Sequence, residues 1–532
     1  MKDTFATSLR PLQPCASPFS FFDLISRIWR GGNDQPLHRF CTLMRKLNAE
    51  SFVEEKLEPN DELREEQLMA EACCGHEVSL EATRLTFFCS STESKRWDDE
   101  DALPEDHLLG YAVVVNLESL SDQRFPKTYM LEAVVRPPSV VLHLEGNEIF
   151  IRPVTNYYVH NVAEFETVLG RPPTARRLNL TGSFFTQQNG LTSICAHAAL
   201  RMAINSSPLL QTQKLTNRYI NDLLQINDHN PGKGLTREQI EHVVSGLGFL
   251  VHSANFLQNT SIEYDHFMYP SLESCLPTIL GIEKWDDRSH KVSGHVVTVL
   301  GHTTNSDRWA PEARRGYGNY PVLPYIPSAE WCCHYVISDD NYGMYGTLPS
   351  DAIRNFLVPS KNPNQHVSMA ISILPREVSI RGYSAEQLAI EKTHQLVGKV
   401  ELETSNIWLA RLRTQRLVCR THLQKRGQYI SFIQEHVPEL TEEQHVVLSS
   451  LPEYVWVSEL SLPNIFTGNK HKLGDVVIRA NATPEEHSNG KSLAMAWFPG
   501  FVQLGATRNI QRWSIQTHIP LIRNTQSPLL EW

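Results

Sequence analysis

Residues 184–204, FFTQQNGLTSICAHAALRMAI, decide the fold because they join a polar loop, one cysteine and the start of an apolar helix. The QQNG run is typical of a turn-rich loop, and Thr192 or Ser193 is expected to cap the helix that follows. Cys195 would then lie at or near the helix N-terminus, where unpaired backbone N–H groups and the helix dipole favour the thiolate. The thiolate is the reactive form, so the segment predicts a nucleophile aimed by a rigid helix.

The residues after the cysteine predict two helices. LTREQIEHVVSGLGF, which begins at residue 235, has the pattern of the second helix, with Thr236 and Gln239 as a capping box. The first helix has apolar residues at the i, i+3, i+4 spacing of a buried face. These residues are Ala196, Ala199, Leu200, Ala203 and Ile204.

Four strand-like runs follow these helices, separated by residues typical of turns. Helices first and strands afterwards is an α+β order. One run places His295 at the head of a strand, behind Gly294, which would leave room for a neighbouring group. Another run ends in Asp339 and Asp340. The four runs are PTILGIE, GHVVTVLGH, HYVISDD and HVSMAISILP, beginning at residues 277, 294, 334 and 366.

A thiol that cleaves acyl bonds needs an imidazole to activate it, a carboxylate to hold the imidazole and a donor for the oxyanion. Cys195, His295, Asp339 and Gln188 provide one of each. Because side chains alternate along a strand, Asp340 is expected to face away from the imidazole. We therefore predict Asp339 as the residue that orients His295.

Other residues compete for these roles. His302 and His334 are rival imidazoles, and Gln187 is the alternative to Gln188. His197 is predicted to be a neighbour of the nucleophile rather than its base. Each candidate alone has an ordinary explanation, such as a small buried cysteine or a sheet histidine. The combination, in this order along the chain, favours catalysis.

In these residues the chain resembles the papain-like cysteine peptidase superfamily, and within it most nearly proteins similar to bacteriocin-leader-processing peptidases. The shared pattern is a Gln, a short loop, a Cys with small residues opening a helix, a Gly-His strand and a strand ending in Asp. It covers residues 180–375. Such families usually place Gly or Trp directly after the cysteine, where this chain has Ala196. The resemblance implies a nucleophile helix packed on an antiparallel sheet.

The resemblance also implies a reaction, hydrolysis of a peptide or modifier bond through a Cys-His-Asp acyl-enzyme. The expected partner is a protein or peptide substrate. Two other functions fit the same residues. A papain-like acyltransferase would resolve the acyl-enzyme with an amine instead of water, and a catalytically silent protein-binding module would keep the fold alone. The oligomeric state is left open by the sequence.

The chain has 532 residues, enough for several domains. Residues 35–72 are acidic and helical in pattern, which is typical of a solvated helix face, whereas β-branched runs begin at Leu108. We predict that an α/β-mixed N-terminal part precedes the papain-like domain and that a β-rich domain follows it. The predicted boundaries give a mainly helical region at 1–105, a small β-rich unit at 106–175, the catalytic domain at 176–380 and the C-terminal domain at 381–532.

Composition excludes several classes of partner. The net charge is −10 and no stripe of Lys and Arg occurs, so neither nucleic acid nor an anionic membrane is expected as a partner. No run approaches the ~20 apolar residues of a membrane span. The first residues lack the pattern of a signal peptide, and ten cysteines do not form a dense disulfide framework. We therefore expect a cytoplasmic protein.

No metal or organic cofactor is expected from the sequence. Two groups of residues invite a zinc interpretation, one at Cys73, Cys74 and His76 and one at residues 332–334. Adjacent cysteines, however, lack the C-x₂₋₄-C spacing of structural zinc sites. The proposed thiol chemistry does not need a metal.

Overall fold

The computed structural model of the chain is a mixed α+β fold with several antiparallel sheets, as the order of the sequence patterns predicts. It forms two compact units. The first comprises Met1–Leu247, Ile279–His302 and Tyr335–Val367, and the second Gly248–Thr278, Thr303–His334 and Ser368–Trp532. The structure describes residues 8–11, 19–90, 104–138, 140–145, 148–153, 157–159, 161–170, 175–191, 195–208, 213–226, 234–258, 264–286, 291–303, 325–350, 365–399, 407–436, 440–466, 471–498, 501–505, 510–512 and 521–522.

The helices of the first unit include both helices predicted around the nucleophile. The second of them has the predicted capping box, in which Thr236 and Gln239 bond each other's backbone N–H groups. The helices are α1 (Phe19–Ile28), α2 (Gln35–Lys46), α3 (Asp61–Cys74), α4 (Cys195–Asn205), α5 (Asn217–Leu224) and α6 (Arg237–Gly246).

A seven-stranded antiparallel sheet forms most of the first unit, in the order β1-β2-β3-β4-β5-β10-β9. A separate hairpin pairs β6 with β7. The strands are β1 (Ser8–Pro11), β2 (Ser51–Leu57), β3 (Ser79–Phe88), β4 (Leu108–Glu118), β5 (Lys127–Val135), β6 (Val140–Glu145), β7 (Glu148–Pro153), β8 (Tyr157–Val159), β9 (Ala163–Leu169) and β10 (Arg176–Phe185).

The helical pattern predicted for residues 35–72 is wrong where the chain forms strand β2. Phe52 and Val53 of β2 are buried in the core, and Glu55 is 5% exposed. Glu55 is buried because Arg84 on the neighbouring strand lies 2.8 Å from its carboxylate and the backbone N–H of Gly170 donates to it at 2.6 Å. This part of the acidic run is therefore a paired strand rather than a solvated helix face.

A second sheet in the first unit positions the candidate site. Its strands β12 (Thr278–Asp286), β13 (Lys291–Thr303), β15 (His334–Asp339) and β16 (Gly343–Pro349) follow one another in that order, and β8 pairs with β13. Helix α4 packs into the same core, since Ala198 and Met202 cluster with Leu300 of β13 and Val336 of β15. Thr298 Oγ1 of β13 also donates a 2.9 Å hydrogen bond to the carbonyl of Ala199.

The second unit is built on the antiparallel order β18-β19-β21-β22-β23-β24, with β14 parallel to β18. Two antiparallel pairs accompany it, β11 with β17 and β20 with β25. Its strands are β11 (Leu250–Asn255), β14 (Tyr325–Pro327), β17 (Gln365–Leu374), β18 (Leu417–Lys425), β19 (Tyr454–Ser461), β20 (His471–Lys472), β21 (Gly474–Arg479), β22 (Leu493–Phe498), β23 (Phe501–Leu504), β24 (Ile510–Arg512) and β25 (Leu521–Ile522).

Buried charges in the second unit are paired with one another. The Arg420 guanidinium bonds Glu273 at 2.6 Å and Glu459 at 2.8 Å, and Lys472 lies 2.9 Å from Asp475. Buried charges are tolerated when they are paired in this way. The helices of the unit are α7 (Tyr264–Leu272), α8 (Gly382–Lys399), α9 (Ile407–Thr414), α10 (Arg426–His436), α11 (Glu442–Ser449), α12 (Pro463–Phe466) and α13 (Pro484–Ser488).

The predicted domain boundaries stay predictions. The boundary between residues 175 and 176 falls between β9 and β10, which pair with each other along their length. Strand β10 also pairs with β5. Among the described helices, none combines the length and the apolar character that crossing a membrane requires.

Candidate active site

Cys195 is the first residue of α4, as predicted, and its side chain is half-buried. All nine residues from Ala196 to Ile204 are buried, so the helix is fixed in the core on every side. The predicted caps, Thr192 and Ser193, lie outside the described residues. The first N–H groups of a helix have no acceptor within it, so α4 presents donors and the positive end of its dipole near the sulfur.

Strands β13 and β15 bring His295 and the aspartates together. Thr298 is paired with Ser338 in the antiparallel register, so His295, three residues earlier, lies just past the end of β15. Nε2 of His295 is 3.1 Å from Asp339 Oδ1. The structure therefore brings His295 and Asp339 into the contact that the sequence predicts.

Asp340 is the exception to the predicted arrangement, because it does not face away from the imidazole. Its Oδ1 atom lies 3.6 Å from Nε2 of His295, and its side chain is fully buried. Strand β15 ends at Asp339, and a turn begins there in which the N–H of Tyr342 donates to the carbonyl of Asp339 at 3.1 Å. Side chains alternate only in extended backbone, so the rule does not hold across this turn.

Burial and the two aspartates shift the pKa of His295 in opposite directions. Burial alone lowers the pKa of the imidazole, but hydrogen bonds with Asp339 and Cys195, together with the charges of Asp339 and Asp340, raise it to about 10. For Asp340, burial raises the pKa of the carboxyl to about 7, against the opposing charge of His295. A pKa of about 10 leaves the imidazole protonated at neutral pH, next to the side chain of Cys195.

The two candidate glutamines differ in what their side chains contact. Gln187 is 5% exposed and fully engaged, since its Nε2 donates to the carbonyl of Asn33 at 2.8 Å and its Oε1 accepts from the N–H of Met130 at 3.1 Å. Gln188 is half-buried, and its Nε2 donates one long hydrogen bond, 3.4 Å, to Asn341 Oδ1. Gln188 is thus the glutamine whose amide can be redirected to a ligand.

The rival histidines lie elsewhere. His197 is buried and its Nε2 is 3.0 Å from Asn221 Oδ1, which gives it a structural partner. His302 is opposite Tyr335, seven residues along β13 from His295, which is roughly 20 Å of extended chain. His334 begins β15 and Asp339 ends it. Among these histidines, His295 is the one that contacts the aspartates.

Gly294 does not have the role predicted for it. It is exposed, and a Cβ atom added there would have no neighbour within 4 Å among the described residues. A small residue is therefore not required before His295. Residues 304–324, which connect the strand of His295 to that of Asp339, lie outside the described residues.

Asn341 is a site residue that the sequence reasoning missed. Its backbone N–H donates to Asp339 Oδ1 at 2.8 Å, and its Nδ2 lies 3.5 Å from Nε2 of His295. Its Oδ1 accepts the hydrogen bond from Gln188. Its position in the sequence, directly after the two aspartates, was the signal that could have identified it as a site residue. Asn341 links the histidine and the glutamine loop.

A pocket of about 470 Å³ opens beside these residues. Its wall includes Gln188 and Asn341, so it is continuous with the site. Most of the lining is polar. The described residues of the lining are Gly32, Asn33, Lys127, Thr128, Gln187, Gln188, Asn189, Gly190, Leu191 and Asn341.

Among the described residues of the first unit, two groups of side chains have donor atoms close enough to hold a metal ion. In the candidate site they are His295, Asp339 and Asp340, with donor atoms within 4.8 Å of one another. The other group joins Cys74 and His76 to Asp122, a residue too distant in sequence for the spacing rule to find. Its carboxylate is already held by Arg124, at 2.5 and 2.8 Å.

No protein-family model matches the sequence, and no curated protein matches it. The function is therefore argued from the geometry of this site.

Proposed function

We propose that the protein is a papain-like cysteine peptidase or isopeptidase that hydrolyses a peptide or modifier bond through an acyl-enzyme. The observation that carries the proposal is the position of His295, which lies 3.1 Å from Asp339 and whose pKa is raised by the side chains of Asp339 and of Cys195, the first residue of α4. Nucleophile, base and orienting acid are thus connected in one chain of contacts, as this chemistry needs.

The first half of the reaction follows from these contacts. The Cys195 thiolate attacks the carbonyl carbon, and the carbonyl oxygen becomes an oxyanion. Gln188 Nε2 and the first N–H groups of α4 are the donors placed to stabilise that charge. The C–N bond then breaks, and the leaving amine takes its proton from the imidazolium of His295. A thioester at Cys195 and a free amine result.

In the second half, the neutral imidazole accepts a proton from water as the water oxygen attacks the thioester. The C–S bond breaks, a carboxylic acid leaves and the thiolate is restored beside the protonated imidazole. Because Nε2 of His295 is held by Asp339, Nδ1 is the nitrogen left to exchange protons at the sulfur side. Asp339 keeps the ring in that orientation throughout.

The direct test uses the full-length protein and a Cys195→Ala variant to trap substrates. Bound proteins recovered with the variant are then incubated with the wild-type protein, and new chain ends are identified by mass spectrometry. We expect cleavage by the wild type and none by Cys195→Ala or His295→Ala. Cys333→Ala is the matched control, because Cys333 is another half-buried thiol. Equal cleavage by the wild type and Cys195→Ala would refute the proposal.

The same assay separates the two other functions. An acyltransferase would attach an added primary amine to the new C-terminus, which shifts the product mass by a known amount. A silent binding module would recover partners but cleave none of them. The position of His295 between Asp339 and Cys195 favours catalysis over the silent module, because a binding module does not need an oriented imidazole beside a thiol.

A further inference from the structure

We propose that the pocket beside the candidate site binds a carboxylate of the substrate and that Lys127 is the cation that recognises it. This inference rests on the proposed peptidase function, because it assigns a substrate class to the same site. The pocket volume, about 470 Å³, lies in the range of ordinary ligand sites and exceeds what one side chain fills. It therefore has room for a side chain with its adjoining backbone.

The position of the pocket places its occupant next to the scissile bond. Gln188 and Asn341 line the pocket and also belong to the candidate site. Asn341 Nδ2 lies 3.5 Å from the imidazole of His295. One residue of extended chain spans about 3.3–3.6 Å, so a substrate residue one or two positions from the cleaved bond reaches the pocket.

Lys127 supplies the charge of the pocket. Its neighbours in the lining are amides, a hydroxyl, glycines and one leucine, and Lys127 is the one charged residue among them. Within the described part of the chain, Lys127 makes no ion pair with a carboxylate. Lys214, by contrast, lies 2.8 Å from Glu62. A half-buried lysine without an acid partner among the described residues, in a polar pocket, favours an anionic ligand.

The backbone around Lys127 leaves its ammonium accessible. Gly190 and Gly32 line the pocket with positive φ angles of 71° and 97°, a conformation that favours glycine. A Cβ atom at Gly190 would lie 3.8 Å from Lys127 Nζ. The absence of a side chain there keeps open the space through which a carboxylate approaches the ammonium.

The amides of the pocket already have hydrogen-bond partners, which leaves Lys127 to determine substrate specificity. Asn33 Nδ2 donates to the carbonyl of Asn341 at 2.8 Å, and Gln187 donates to the carbonyl of Asn33. These amides stabilise the wall of the pocket and already donate hydrogen bonds to backbone carbonyls. Gln188 is assigned to the oxyanion. Lys127 is the charged group of the described lining, and the group that it selects is a carboxylate from an Asp or Glu side chain or from a free chain end.

The experiment uses full-length protein and peptides with an internal vinyl sulfone, which alkylates an activated thiol. One arm compares Glu with Gln at each position flanking the electrophile, and a second compares a free with an amidated C-terminus. Labelling of Cys195 is followed by intact mass and peptide mapping. We expect one acidic probe to label about tenfold faster than its neutral match, as expected for a hydrogen bond to a charged group. The arm that shows this identifies the source of the carboxylate.

Variants at Lys127 test the residue itself. Lys127→Glu should reverse the preference, Lys127→Gln should abolish it, and Lys127→Arg should retain it. Thermal unfolding of each variant checks that it is folded, and the glutamine variant tests the idea even if the glutamate variant does not fold. Equal labelling by acidic and neutral probes, or an acidic preference that survives in Lys127→Gln, overturns the subsite.

Labelling with iodoacetamide distinguishes failure of the subsite proposal from failure of the peptidase proposal. If iodoacetamide alkylates Cys195 selectively while every peptide probe labels it at the same rate, the subsite is wrong and the nucleophile stands. If iodoacetamide leaves Cys195 unmodified at neutral pH, the peptidase proposal fails, and the subsite proposal that rests on it fails as well.

Discussion

His295 Nε2 contacts Asp339 Oδ1 at 3.1 Å, although the two residues are 44 positions apart on neighbouring strands. The contact engages Nε2 and leaves Nδ1 as the ring nitrogen that Asp339 does not use. Asp340 also approaches Nε2, but at 3.6 Å, and neither of its side-chain oxygens accepts a hydrogen bond from a described group. The two carboxylates therefore differ in geometry, which leads to separate predictions.

Asp339→Asn is predicted to reduce turnover far more than Asp340→Asn. The amide removes the hydrogen-bonded charge that orients the imidazole, and loss of the orienting acid costs up to about 10⁴-fold in serine-peptidase triads. Asp340→Asn removes only a longer charge interaction, so its effect should stay within about tenfold. Turnover of a trapped substrate at pH 7 measures both variants, and the opposite ranking would make Asp340 the orienting acid.

Asp340→Asn is also predicted to change how stability depends on pH. The folded-state pKa of Asp340, about 7, exceeds its ordinary value of 3.8, so the folded protein binds this proton more tightly than the unfolded chain. Stability is therefore lost as pH rises from about 4 to 7, by about 4 kcal/mol for a shift of this size. The variant should lack that loss.

Thermal unfolding at pH 4 and pH 8 measures the effect. Between pH 4 and pH 8, the stability of the variant should rise relative to that of the wild type, whatever the difference in stability between the two proteins at pH 4. His295→Ala removes the opposing charge, so the pKa of Asp340 should rise further and the loss from this carboxyl should continue to higher pH than in the wild type. Parallel curves for the wild type and Asp340→Asn would show that the buried carboxyl does not titrate in this range.

Cys195 is predicted to react first among the thiols near neutral pH, because it begins α4 and interacts with the side chain of His295, the setting typical of reactive cysteines. Limiting iodoacetamide with peptide mapping measures this, and Cys333 is the matched half-buried control. His295→Ala should slow the alkylation of Cys195 and leave that of Cys333 unchanged. First labelling elsewhere would contradict the assignment. Burial raises the pKa of seven other thiols: Cys41, Cys73, Cys74, Cys89, Cys275, Cys332 and Cys419.

Local patterns were sufficient to predict the elements that carry the site. The loop and small residues before and after Cys195 predicted the start of α4, and the Thr236 capping box predicted α6. Apolar runs predicted the strands that hold His295 and Asp339. In each case the determinants lie within a few residues of the feature, where propensity and periodicity act.

The features that were missed depend on distant residues or on the end of an element. Strand β2 was hidden in an acidic run because Glu55 is neutralised by Arg84, 29 residues away. Asp340 was misplaced because strand alternation stops at the turn after Asp339. Lys127 could not be connected with the site, since β5 and the loop before α4 come together only in the folded first unit.

The last prediction separates the two glutamines. Gln188→Ala should lower turnover by about 10²- to 10³-fold, the usual cost of losing one oxyanion donor. Alkylation of Cys195 by iodoacetamide forms no oxyanion, so its rate should be unchanged. Gln187→Ala leaves the buried N–H of Met130 without its acceptor and removes the bond to Asn33, which should cost about 1–3 kcal/mol of stability.

Turnover, alkylation rate and thermal unfolding are therefore measured together on both variants. A donor to the oxyanion shows lost turnover with normal alkylation and normal stability, which we expect of Gln188→Ala. A structural residue shows lower stability, with turnover restored on cooling, which we expect of Gln187→Ala. Gln188→Glu is the matched control, because it keeps the size of the side chain but replaces the donor with a charge that repels the oxyanion. If Gln188→Glu turns over as fast as the wild type, the oxyanion donor is not at position 188, and the α4 N–H groups alone must stabilise the charge.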